Sequence, residues 1–176
     1  MALIRTDGYE FDFPKAKALY KFDEPDKAQP YFHGVNHAMK AVDVMVELVD
    51  RYLFIEIKRY DSGFENGHPL EDAKAYLINT SVTKFRDTFL YRYCEEKLDK
   101  PVIFICLIDK LDSAMLGTLR KAIGRKIPVG LPAILKERGR WKRPLLEDGK
   151  CLVVNEQRWN ASNLAAFGSC KYVGVS

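Results

Sequence analysis

The stretch KAVDVMVELVDRYLFIEIKRY, residues 40 to 60, allows few folds. Apolar residues alternate with others on both sides of Asp50–Arg51, the period of a strand rather than a helix. In the first run Val42, Val44, Val46 and Leu48 share a face, opposite Asp43, Met45 and Glu47. In the second run Leu53, Ile55 and Ile57 oppose Phe54, Glu56 and Lys58. A two-residue turn at Asp50–Arg51 pairs residue 49 with 52 and puts both aliphatic faces on one side. In that register Asp43 faces Lys58, Met45 faces Glu56 and Glu47 faces Phe54.

The rest of the chain is arranged around this hairpin. Residues 14 to 22 are expected to form a short helix, with Pro14 in its first turn. A strand is expected over 31 to 37. After a loop at 61 to 69, residues 70 to 98 are helical, with a break expected near Thr80 to Thr83. Phe85, Phe89 and Tyr93 recur at four-residue spacing and mark one buried stripe. PVIFICLID, 101 to 109, is an unbroken apolar run, which suits a strand covered on both faces. Residues 111 to 126 form a basic amphipathic helix capped by Asp112 or Ser113. Prolines and glycines break up 127 to 150, and a last strand over 151 to 155 and a short helix over 160 to 167 follow. Strands that follow helices pair in parallel. The expected fold class is therefore α+β: a mixed sheet with a central antiparallel hairpin, flanked by helices. A chain of 176 residues suits a single domain, 1 to 176, with a core over 14 to 109 and a basic elaboration over 110 to 176.

The charges on the hairpin need a reason. Opposed Cβ atoms lie roughly 5 Å apart and diagonal ones roughly 7 Å apart, so Asp43, Glu56 and Lys58 converge. Two carboxylates beside a lysine form a hard, oxygen-lined site of the kind Mg²⁺ or Mn²⁺ favours. Such a metal polarises a phosphate oxygen and lowers the pKa of a bound water. The plain alternative is a solvated strand face with an Asp43–Lys58 pair, contributing ~0–1 kcal/mol.

An Asp on one strand followed by Glu56-Ile57-Lys58 on the next resembles the PD-(D/E)XK nuclease superfamily, whose fold is restriction-endonuclease-like. The family's core order is helix, three-strand meander, helix, strand (αβββαβ), and residues 14 to 109 read that way. The residue before Asp43 is Val42 where the family motif has Pro. The resemblance implies a metal-dependent nuclease that hydrolyses phosphodiesters without a covalent intermediate. Asp43, Glu56 and the Ile57 backbone carbonyl would hold the metal, and Lys58 would assist the attacking water. Some members carry an acid on the first helix, for which Glu24 is the nearest candidate and Glu10 another. Members often place a Lys on the helix after the motif. Lys84 stands there, although a solvated helix lysine is its simpler reading. Glu47 lies on the site face two residues nearer the turn, and His37 precedes the hairpin within reach of a phosphate. His33 and His37 lack a third ligand for zinc, and a polar residue near the sheet edge is the simpler reading of each.

Residues 101 to 145 hold ten Lys or Arg against three acids, so this segment carries +7 of a chain whose net charge is +4. Arg120, Lys121, Arg125 and Lys126 on a helix and Lys136, Arg138, Arg140, Trp141, Lys142 and Arg143 beyond it would bind phosphates and stack a base, or else form a solvated basic face with Trp141 tucked into the core. Nucleic acid is the expected partner, DNA ahead of RNA, and a homodimer is expected because many nucleases of this size act as dimers. Cys94, Cys106, Cys151 and Cys170 form no CxxC pair, which argues against a zinc ribbon, and Cys106 reads as a core residue. The first residues lack a signal-peptide pattern, and the apolar run Val102 to Ile108 is too short to span a bilayer. A cytoplasmic protein without membrane contact is the expectation. A catalytically idle module of the same fold, binding nucleic acid or protein, and a structural domain with solvated strand charges are the alternatives.

Overall fold

A computed structural model describes residues 2–58, 70–130, 137–139 and 142–174, with residues 70–73 described by their backbone alone. Among the described residues, eight strands form two sheets: β1 (Leu3–Thr6), β2 (Tyr9–Asp12), β3 (Ala18–Lys21), β4 (Val44–Glu47), β5 (Tyr52–Lys58), β6 (Val102–Ile108), β7 (Cys151–Val154) and β8 (Ser169–Tyr172). The helices described from end to end are α1 (Leu70–Cys94), α2 (Ser113–Lys126) and α3 (Glu156–Asn160), with a 3-10 turn at Asn163–Ala166. The larger sheet has the order β3-β4-β5-β6-β7, antiparallel up to β5 and parallel from β5 to β7. The fold is thus mixed α+β, with the hairpin in the sheet as the alternation requires and an α/β extension after β6.

Each face of this sheet has its own core. Met45, Phe54, Phe104 and Cys106 face α1 and α2, where Phe85, Leu116, Leu119 and Ile123 meet them. Val44, Val46, Leu53, Ile55, Ile105 and Leu107 face the other way, against Phe11 of the small β1-β2-β8 sheet, Phe13 just after β2, and Trp159 of α3. All seven residues of β6 are buried, as expected of a run covered on both faces. Asp112 caps α2, its carboxylate accepting the Met115 N–H at 2.8 Å.

Several expectations are corrected. Residues 18 to 21 are strand, not helix, because β4 offers an edge: Leu19 pairs with Val46 and Tyr20 with Met45. The three-strand meander is therefore β3-β4-β5, and no helix precedes it among the described residues. Residues 31 to 37 form turns rather than a strand. α1 runs unbroken through Thr80 to Thr83, whose hydroxyl-bearing side chains do not interrupt it. On its stripe Phe85 is fully buried and Phe89 packs against the core, but Tyr93 is exposed. β1, β2, α3 and β8 were not foreseen.

Candidate functional site

The hairpin register differs by two residues from the expected one. Val44 pairs with Ile55, Met45 with Phe54, Val46 with Leu53 and Glu47 with Tyr52. Leu48 to Arg51 make a four-residue connection closed by the Leu48 N–H on the Arg51 carbonyl, 2.9 Å. A slip of two preserves every face but changes every partner. Asp43, one residue before β4, comes opposite Glu56 rather than Lys58. Val42 leaves the aliphatic face and joins the α1-side core, its N–H donating to Thr88 Oγ1 at 3.0 Å.

The charged face is not solvated, because α1 lies over it. Ser81, Lys84, Thr88 and Arg92 are all buried and recur at helical spacing, a polar stripe on the sheet-facing side of the helix. Lys84 Nζ lies 2.8 Å from Asp43 Oδ1, 3.2 Å from Glu56 Oε2 and 3.3 Å from Asp23 Oδ2. Lys84 is therefore no surface lysine: it is the centre of the cluster. Lys58 Nζ sits 2.5 Å from Glu56 Oε1, a pair within one strand face, and its side chain keeps 26% exposure. The Glu56 side chain has none. Both of its oxygens are buried, Oε1 against Lys58 and Oε2 against Lys84.

Burial and then the neighbouring Asp43 charge push the Glu56 carboxyl up to about 8, against the pull of Lys84 and Lys58. Burial by itself would lower the Lys84 ammonium, but the charges of Glu56 and Asp43 hold it above its ordinary value. Three carboxyl groups and two ammonium groups thus form one cluster, buried at Asp43, Glu56 and Lys84 and partly exposed at Asp23 and Lys58.

The accessory candidates divide. Glu47 is on the site face but pairs with Lys100 at 2.8 Å, at the turn end of the hairpin. Glu24 accepts the Asp26 N–H at 3.0 Å in a local turn, and Glu10 pairs with Arg5. The acid that does reach the cluster is Asp23, next in the chain to Glu24, just past the end of β3 where the Phe22 N–H donates to the Asp43 carbonyl at 2.9 Å. Reading 14 to 22 as helix hides it; reading β3 as an edge strand would have shown it. His37 is exposed in a turn, and His33 packs its ring 5.3 Å from those of Phe22 and Tyr91. Arg120, Lys121, Arg125 and Lys126 are exposed along α2, and the first three line a cavity of about 390 Å³. Arg138, Lys142 and Arg143 are exposed, whereas Lys136, Arg140 and Trp141 lie outside the described residues.

The metal that the resemblance implies can be weighed against these donors. Among the described residues no three His, Cys, Asp or Glu side chains are grouped to hold an ion. Mg²⁺ does not need three: it commonly takes one or two carboxylates and completes its shell with water and phosphate oxygens. Asp43 and Glu56 supply two oxygen donors, one of them fully buried, around a point already taken by a cation. That donor set fits a hard divalent ion.

No protein-family model matches this chain, and neither does any curated protein or solved structure. No described helix is long and apolar enough to cross a membrane.

Proposed function

We propose that this chain is a divalent-metal-dependent nuclease of the PD-(D/E)XK type, hydrolysing phosphodiester bonds in nucleic acid, with DNA the first substrate class to try. One observation carries the reading: Asp43 and Glu56, from adjacent strands, are held on either side of one buried cation, with Lys58 beside them toward solvent. Burying carboxylates this way is costly, and a solvated structural face has no need of it. When bound, Mg²⁺ would activate water and offset charge on the phosphate. Asp43, Glu56 and the Ile57 carbonyl would hold it. Lys58, partly exposed and anchored on Glu56, would orient a water and counter charge developing on the phosphate. The basic face of α2 would carry the nucleic-acid backbone by phosphate contacts that are blind to sequence.

A second reading, an idle module of the same fold, is favoured by the Lys84 ammonium, which already neutralises the pair. Cleavage separates the two. Single- and double-stranded DNA and RNA are incubated with Mg²⁺ or Mn²⁺ and wild type, Lys58→Ala or Glu56→Ala. Cleavage by wild type that EDTA and both substitutions abolish supports the enzyme. Nucleic-acid binding that survives Asp43→Ala, with no cleavage of any substrate, supports the module.

A further inference from the structure

The Lys84 ammonium touches three carboxylates from one position, and they divide into two sets of partners. One is the pair Asp43 Oδ1 and Glu56 Oε2, at 2.8 and 3.2 Å, where an incoming cation would have to go. The other is Asp23 Oδ2, 3.3 Å away, on a side chain that keeps 40% of its exposure. A lysine carries a compact charge on a flexible stem, so its ammonium can give up the first and keep the second while α1 stays in place. α1 is fixed there by backbone groups of the hairpin's approach: the Lys40 N–H on Asp87 at 2.9 Å and the Val42 N–H on Thr88 at 3.0 Å.

We propose that Lys84 is the resident occupant of the divalent-cation site and sets its affinity: an ion binding Asp43 and Glu56 drives the Lys84 ammonium off that pair and leaves it with Asp23, the third carboxylate it already touches. This rests on the reading of Asp43 and Glu56 as the metal-binding pair. Without the ion, Lys84 keeps two carboxyl groups from facing each other bare in the sheet. With it, the ammonium is repelled by the dication and keeps Asp23 at the solvent side. Asp23 is thereby a positioning residue, acting on the site through Lys84.

The test is calorimetric Mn²⁺ titration of wild type, Lys84→Met, Asp23→Asn and Glu56→Gln, with side-chain Nζ resonances of lysine followed in wild type as Mg²⁺ is added. Lys84→Met should bind Mn²⁺ about ten-fold or more tighter, because a competing positive charge is gone. Asp23→Asn should bind about three-fold weaker, since the remaining partner is lost. The Lys84 resonance should shift and saturate with Mg²⁺. Equal affinity in wild type and Lys84→Met, lost in Glu56→Gln, with the Lys84 resonance unmoved, would overturn the displacement and leave the metal site standing. Mn²⁺ binding by neither wild type nor Lys84→Met would remove both. Should Lys84→Met not fold, Asp23→Asn and the wild-type resonance still decide.

Discussion

The Asp43 carboxylate accepts the backbone N–H of Ile57 through Oδ2 at 2.6 Å. In the observed register Leu48 and Arg51 are a hydrogen-bonded pair, and such pairs alternate along the ladder. Continued regularly, the ladder would send the Ile57 N–H to the Val42 carbonyl. A side chain takes that place instead, so the strand ends at Val44 and the carboxylate is locked onto the middle of Glu56-Ile57-Lys58.

Asp43→Ala should therefore destabilise the fold even without metal. It strands the Ile57 N–H and removes the closest partner of the Lys84 ammonium. The expected loss is about 3 kcal/mol, with a smaller loss for Asp43→Asn, which keeps an acceptor for Ile57. Urea unfolding midpoints of the three proteins check the order. Equal midpoints for wild type and Asp43→Ala would deny the lock.

Metal-free stability should fall as pH rises from about 4.5 to about 8. Glu56 is raised in the fold from an ordinary 4.5 to about 8, so between those values the native state keeps a proton that the unfolded chain has lost. The native advantage is complete below the unfolded value and is lost as pH climbs through the folded one. A single group can contribute a slope of at most about 1.4 kcal/mol per pH unit. Other groups titrate in this window, including His33, whose lowered value, set by burial, gives the opposite slope. The comparison is accordingly wild type against Glu56→Gln by chemical unfolding at several pH values. The difference between them should grow in favour of the Gln variant toward pH 8, and a difference that stays constant contradicts the assignment.

Much of the site was legible because strand alternation is coarse. Faces depend only on parity, so a register wrong by two still put Asp43, Glu56 and Lys58 on one side. The partners were not legible, because the length of the connection, four residues rather than two, is decided by how Leu48 and Arg51 close it. β3 was hidden since Pro14-Lys15-Ala16-Lys17-Ala18-Leu19 has helical composition, and an edge-strand partner overrode that propensity. The small sheet had a signal in Asp7-Gly8, whose positive φ values of 50° and 78° are those of a type I′ hairpin turn. The burial of Lys84 had none: a lysine on a helix is buried only when acids from other elements meet it there, and this knowledge is tertiary.

Lys58→Ala should lower cleavage by about 10²-fold or more with little change in nucleic-acid affinity. Its ammonium sits on Glu56 and is partly exposed, and preorganised charge of this kind acts chiefly in the transition state. Single-turnover rates set beside binding isotherms test it. A parallel loss of affinity would make Lys58 a binding residue instead.

Arg120→Ala and Arg125→Ala should each weaken nucleic-acid binding by a similar factor on every sequence. Each should also reduce the slope of log affinity against log salt by about 1. Both side chains are exposed on α2 around one cavity. Fluorescence anisotropy over a range of salt concentrations measures both quantities, and unchanged slopes would move the interface elsewhere.

The most direct measurement is a crystal structure grown with Mn²⁺, with anomalous density collected for the ion. The account predicts a peak bound by Asp43 and Glu56, about 2.2 Å from an oxygen of each, with the Lys84 ammonium off that pair and left with Asp23. Full Mn²⁺ saturation with no peak between these carboxylates, and Lys84 still seated there, would contradict it.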